Sequence, residues 1–227
     1  MLSVIIPTLD AERGLVRTLT ALVPASVEGL VKEVIVVDGG SEDRTCQIAD
    51  DAGALIVKAP RGRGGQLRAG AEIARGDWLL FLHADTVLDE TWIDEVGGFV
   101  AAAVDSGPQA AAFRFALDDD GGRARVVERF VRFRSSVFGL PYGDQGLLIS
   151  RTLYDEIGGF RDLPLMEDVD IVRRIGWKNL ALLKTRAVTS AARYQKYGYI
   201  VRTVRNFVCL MLYFLRVPPR VLVRLYG

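Results

Sequence analysis

Cysteine and histidine are scarce in this sequence. Only two cysteines occur in 227 residues, Cys46 and Cys209, each in apolar surroundings and outside any CxxC or Cys/His cluster. A disulfide framework and a zinc-ribbon site are therefore excluded, and two reduced structural thiols in a cytosolic protein are expected. Histidine occurs once, as His83. Long apolar runs are missing too. No stretch reaches the roughly 18 to 20 uninterrupted apolar residues that cross a bilayer, and the nearest, residues 207–215, is bounded by Arg205 and Arg216. Residues 2–6 are too short for a signal-peptide core and lack a basic flank, so no export is expected. Net charge is also nearly absent: 29 basic against 28 acidic residues leave +1. That balance argues against a nucleic-acid binder, which usually carries a strongly basic domain. A chain of this length buries a core without help from disulfides or a structural metal.

What is present is an alternation of strand and helix patterns. Residues 2–7 form a β-rich run, 11–22 have helical spacing, and 31–38 are again apolar and β-branched, ending on Asp38. Residues 41–52 read as a helix with Ser41 as its N-cap, 54–58 as a strand, 66–74 as a helix and 77–83 (DWLLFLH) as a buried strand. This order predicts an α/β fold with a mostly parallel central sheet flanked by helices on both faces. Ligands of such sheets collect where the strands end. The polar residues fall there: Pro7-Thr8 after the first strand, Asp38-Gly39-Gly40-Ser41 after the second, His83-Ala84-Asp85 after the fourth. Any one of these acids could be an ordinary cap or turn residue; three at neighbouring strand ends point to a shared crevice.

Two nucleotide signatures can be tested directly. In GRGGQLRAG (62–70) a GxGxxG register started on Gly62 and Gly64 puts Leu67 at the third glycine, so the dinucleotide fingerprint fails, and no GxxxxGK[ST] exists. What remains is a glycine-loosened basic loop with Arg61, Arg63 and Arg68, suited to wrapping a diphosphate, or else a solvated turn.

Four ordered segments, SVIIPTLDAE at the start, EVIVVDGGSEDRT (33–45), GDWLLFLHADT (76–86) and PLMEDVDIVRRI (164–175), resemble glycosyltransferase family 2, inverting transferases of GT-A fold. The HADT and YGDQG strings and the tail RVPPRVLVRLY resemble a small bacterial branch of it. The resemblance implies a hexosyl-type transfer from a nucleotide-diphosphate sugar, UDP- or GDP-linked, assisted by Mn2+ or Mg2+. It places Pro7, Thr8 and Glu12 at the nucleoside and Asp38, with Gly39 beside it, at the base. Ala84 and Asp85 fall in the metal-binding DxD motif, with Asp85 as metal ligand. His83 replaces the first acid of that motif and is a second candidate ligand to metal, phosphate or ribose; Arg68 stands where the family more often has Asn. Inverting transfer needs a carboxylate to take the acceptor's proton, and the family's ED pair falls on Glu167-Asp168, with Asp168 as base and Asp170 as a further member of the network. Without the resemblance, this segment reads as the acidic first turn of a helix. Gly143, Asp144 and Gln145 would approach donor sugar and acceptor, or form a tight turn before a strand at 147–150.

The C-terminal third is less explicit. Residues 123–138 and 199–215 mix arginines with apolar residues, as do basic helices on an anionic membrane surface, core helices with a solvated face, and dimer contacts. A lipid-linked acceptor would suit the first case, at the inner face of the membrane. Arg193, Tyr194 and Lys196 are candidate phosphate or acceptor contacts. The expected organisation is a GT-A domain over residues 1–190 and a helical tail over 191–227 that packs on it or mediates membrane or dimer contact. Two other classes remain open. A nucleotidyltransferase should carry a Gly-rich basic loop after the first strand, where TLDAERG stands, and a non-catalytic nucleotide-sugar binding module would not require the intact ED pair.

Overall fold

The structure, a computed structural model, describes residues 1–103, 109–139, 141 and 143–226. Tyr142, the first residue of YGDQG, lies outside them. Strand β1 (Leu2–Thr8) is buried along nearly its whole length. Val4 and Ile6 face one core and Ile5 the other, because successive side chains point to opposite faces of a strand. Helix α1 (Glu12–Val27) buries Leu15, Thr18, Leu19, Leu22 and Ala25, the stripe expected for 3.6-residue periodicity. Then follow β2 (Val31–Asp38), α2 (Thr45–Asp51), β3 (Leu55–Lys58), α3 (Arg63–Ile73), β4 (Trp78–Phe81), β5 (Thr86–Leu88) and α4 (Trp92–Ala103). The second half comprises β6 (Ala110–Leu117), α5 (Gly122–Phe138), a 3-10 turn (Gly143–Gln145), β7 (Leu147–Ser150), α6 (Arg151–Glu156), α7 (Glu167–Ile175) and β8 (Leu180–Thr189). Helices α8 (Ala192–Tyr197), α9 (Tyr199–Phe214) and α10 (Pro219–Tyr226) complete it.

The strands form one sheet in the order β3-β2-β1-β4-β7-β6-β8-β5. The first four run parallel, β7 is antiparallel to β4 and β6, and β8 is parallel to β6 and antiparallel to β5. The chain leaves β1 towards β2 on one side and returns as β4 on the other, so the carboxyl ends of β1, β2 and β4 border the switch point where α/β sheets bind ligands.

Three boundaries differ from the sequence reading. Ser41 caps no helix; α2 starts at Thr45, because Asp43 draws the Thr45 amide (2.9 Å) into a local turn and the Ser41 hydroxyl is engaged by Asp38. Helix α3 begins at Arg63, inside the glycine-rich stretch. Strand β4 stops at Phe81 because a turn, Thr86 N–H to His83 carbonyl at 3.2 Å, takes the chain out of the sheet just where His83 stands.

Candidate active site

At the ends of β1 and β2, Asp38 is 3% exposed and ringed by donors. Its carboxylate accepts the amides of Gly40 and Ser41, each at 3.0 Å, and the Thr8 hydroxyl at 3.2 Å, besides the Ser41 hydroxyl. Burial pushes its pKa up, but these hydrogen bonds outweigh burial and hold it below the ordinary carboxylate range. Asp38 is therefore a fixed, charged acceptor at the crevice. Gln66 locks the two strand ends together by donating to the carbonyls of Thr8 (2.9 Å) and Val37 (2.7 Å). A side chain at Gly39 would put its Cβ 3.1 Å from that amide, so Gly39 is small because Gln66 is there. Glu12, half-buried, meets Arg44 at 3.6 Å.

Helix α1 sets the next piece. The Thr18 hydroxyl donates to the Ala84 carbonyl at 2.9 Å. A Cβ on Gly14 would come within 2.9 Å of that same oxygen and 3.0 Å of the Asp85 Cα, so only glycine lets α1 lie this close to the His83-Ala84-Asp85 turn. His83 beside it is kept neutral: burial, then the charges of Arg63 and Arg193, push its pKa well below the ordinary value.

Gly143 joins this turn to α7. Its amide donates to Asp168 Oδ2 at 2.8 Å, and a Cβ there would lie 2.8 Å from His83 Nε2 and 3.5 Å from Asp168 Oδ2. Asp168 Oδ1 accepts the Val169 amide at 2.7 Å, so both carboxylate oxygens are oriented by backbone. Glu167 is 3% exposed, with Arg63 Nη1 4.0 Å away. Burial first, then the neighbouring Asp168 charge, pushes its pKa up to about 7 against the pull of Arg63. Asp144 is likewise raised, to about 6, chiefly by burial, and its Oδ1 is buried with no hydrogen-bond partner.

Several sequence candidates stand elsewhere. Gln145 is held by the fold: its amide donates to the Phe113 carbonyl at 2.9 Å and accepts the Ser135 hydroxyl at 2.9 Å, leaving it 2% exposed. Both Asp170 oxygens are engaged, by Arg174 at 2.7 Å and Arg161 at 3.0 Å. Arg68 pairs with Glu72 at 3.1 Å on the solvent side of α3, both side chains being exposed. Arg61 is exposed, whereas Arg63 lies 4.0 Å from Glu167 and its charge acts on His83. The glycines of that stretch serve close packing: a Cβ on Gly64 would lie 2.2 Å from the Arg161 carbonyl. Pro7 stays within β1, paired with Val37.

Sequence reasoning missed Gly14, Thr18 and Gln66. A helix residue that supports a loop 66 or more positions away leaves no local signal.

The donor set can be tested against a divalent metal. Among the described residues no three His, Cys, Asp or Glu side chains gather at one point. Asp85 with a neutral His83 supplies at most two protein ligands, which fits an ion completed by substrate phosphates and water better than a closed structural site.

The profile described as Glycosyl transferase family 2 matches residues 3–160. A Rickettsia bellii protein described as an uncharacterized glycosyltransferase is 40% identical over 72 residues, 31% of this chain and 24% of that one. The PGL/p-HBAD biosynthesis glycosyltransferase of Mycobacterium bovis is 35% identical over 103 residues, 40% of this chain and 37% of the other. The chain thus spans between about a quarter and a little over a third of these curated relatives. Among solved structures, Staphylococcus aureus TarS superposes with a TM-score of 0.66 at 16% identity, covering 90% of this chain and 64% of that one. Mycobacterium tuberculosis glucosyl-3-phosphoglycerate synthase, in complex with Mn2+, UDP and glucosyl-3-phosphoglycerate, does so with 0.59 at 23%, covering 83% and 70%. At such identities the likeness concerns the fold, which is GT-A. With its family profile matched over most of its length, this chain belongs to glycosyl transferase family 2.

Proposed function

We propose that this protein is an inverting, metal-assisted glycosyltransferase that moves a sugar from a UDP- or GDP-sugar to an acceptor yet to be identified. The observation that carries the reading is Gly143, which bonds Asp168 and has room for no side chain against His83, so that the turn bearing Asp85 and the acidic start of α7 border one site. The solved complex of glucosyl-3-phosphoglycerate synthase with Mn2+ and UDP supports the donor class.

In this reading Asp38, held charged, accepts from a nucleobase N–H, with Thr8, Gly39 and Glu12 around the nucleoside and Arg63 near the phosphates. Asp85, with His83, would hold Mn2+ or Mg2+. A bound divalent ion there offsets the charge that builds on the departing diphosphate. Asp168 takes the proton of the acceptor hydroxyl as its oxygen attacks the anomeric carbon. The bond from that carbon to the diphosphate oxygen breaks, and the nucleoside diphosphate leaves with the electron pair. Two backbone amides aim the Asp168 carboxylate, so little reorganisation is needed before proton transfer. Calorimetric titration with UDP, GDP and their sugars, in Mn2+ and then in EDTA, tests the donor side. Metal-dependent binding lost in Asp85→Ala is the expected result; binding to no nucleotide under either condition overturns the reading. Asp168→Asn should bind donor normally and lose turnover.

A further inference from the structure

The near-neutral net charge hides an uneven distribution. All 28 acidic residues precede position 171, whereas residues 171–227 contain 12 of the 29 basic residues and no acid. The helices that end the chain therefore lie in a stretch of a single sign of charge.

Against this background α9 is apolar on its outer side. Its inner side carries the buried Arg202, Cys209 and Leu210. Helical periodicity puts Ile200, Val204, Phe207, Val208, Met211 and Leu215 opposite, and all six are exposed, Ile200 at 78% and Leu215 at 71%. In helix α10 Leu222 is fully buried, the exposed Val221, Val223 and Leu225 lie on its flanks, and the exposed Arg224 stands opposite. Phe130 of α5 and Phe207 of α9 line a common groove, so the surface continues onto α5, where Val126 and Phe133 are also exposed. Arg129 and Arg132 of α5, Arg216 and Arg224 are exposed too. Scattered apolar residues on a surface are ordinary; a contiguous set on three helices calls for an occupant. A second copy of the chain would bring together two pairs of α9 and α10 helices that carry arginines and no acid, which like charge opposes. A surface both apolar and anionic satisfies the whole patch.

We propose that α9 and α10, with the adjoining edge of α5, lie in the interface of an anionic lipid bilayer, the aliphatic and Phe side chains among the upper acyl chains and the arginines at lipid phosphates. Among the described residues no helix is long and apolar enough to cross a membrane, so these helices lie on its surface. The inference is independent of the proposed transfer reaction. It also bears on the site, because Met166 and Val169, on either side of Glu167 and Asp168, pack against Cys209, Leu210 and Leu222. The membrane contact thus backs directly onto the segment that carries the acids, a placement suited to an acceptor held in the bilayer.

Co-sedimentation of the full chain with vesicles of phosphatidylcholine, with and without phosphatidylglycerol, tests this. Binding only when the anionic lipid is present, weakened by salt, is expected. Arg216→Gln with Arg224→Gln should weaken it roughly 30-fold, at about 1 kcal/mol per basic residue. Val204→Ser with Met211→Ser should weaken it further while leaving the melting temperature nearly unchanged, since both positions are exposed. Equal binding to neutral vesicles, no binding to either, or a dimer in sedimentation analysis that the Val204→Ser, Met211→Ser pair dissociates would each overturn the proposal.

Discussion

Glu167→Gln should make this protein more stable at pH 8 and leave it nearly unchanged near pH 4.5. The Glu167 carboxyl is 3% exposed and sits beside Asp168, and its pKa rises from 4.5 to about 7 on folding. The folded state therefore holds this proton more tightly than the unfolded state. Its contribution to stability is fully present below pH 4.5 and is lost as pH rises through about 7. At about 1.4 kcal/mol per pH unit the loss amounts to roughly 3 kcal/mol by pH 8. Glutamine keeps the shape without the charge. For a chain of this size, roughly 2 to 4 °C of melting temperature per kcal/mol predicts a rise of about 6 to 12 °C at pH 8. Urea unfolding of both proteins at the two pH values measures the difference directly. A variant no more stable than the parent at pH 8 would refute the reasoning and mean that Arg63, 4.0 Å away, compensates the buried charge.

Three further outcomes follow from the packing. Gly14→Ala brings a Cβ within 3.0 Å of backbone at Ala84 and Asp85; it should destabilise by about 1 to 3 kcal/mol and weaken metal-dependent nucleotide binding, read by thermal melting and calorimetry. Gln66→Leu strips the donors from two buried carbonyls at the β1 and β2 ends, a loss of about 1 to 3 kcal/mol in urea unfolding together with weaker nucleotide binding. Arg68→Ala removes only an exposed pair with Glu72; stability should stay within about 0.5 kcal/mol and donor affinity should not move, whereas a large affinity loss would return Arg68 to the site.

The parts legible in the sequence are those whose cause is local. Strand β1 reads as a strand because its apolar residues are continuous, and α1 because Leu15, Leu19 and Leu22 recur at helical spacing. The polar strand ends at Asp38 and His83 were visible for the same reason: they interrupt apolar runs. Boundaries failed where a side chain redirected the backbone, as when Asp38 claimed Ser41 and Asp43 claimed Thr45. Partners far away in sequence also sort residues that look equal along the chain. Arg63 and Arg68 share one basic loop in sequence, yet one faces Glu167 and the other faces water. Asp168 and Asp170 are two positions apart on one helix, yet one meets the Gly143 amide and the other is clamped by Arg161 and Arg174.

Periodicity and strand ends, then, settle the α/β alternation and the end of the sheet at which the polar residues collect, since both arise from neighbours along the chain. Tertiary structure alone decides that β7 inserts antiparallel beside β4, that Gly14 and Thr18 support the Ala84-Asp85 turn from another helix, and that Gly143 links His83 to Asp168. Those are contacts between segments some 25 to 70 residues apart, and their energies depend on fit at close range, which no local pattern of residue types records.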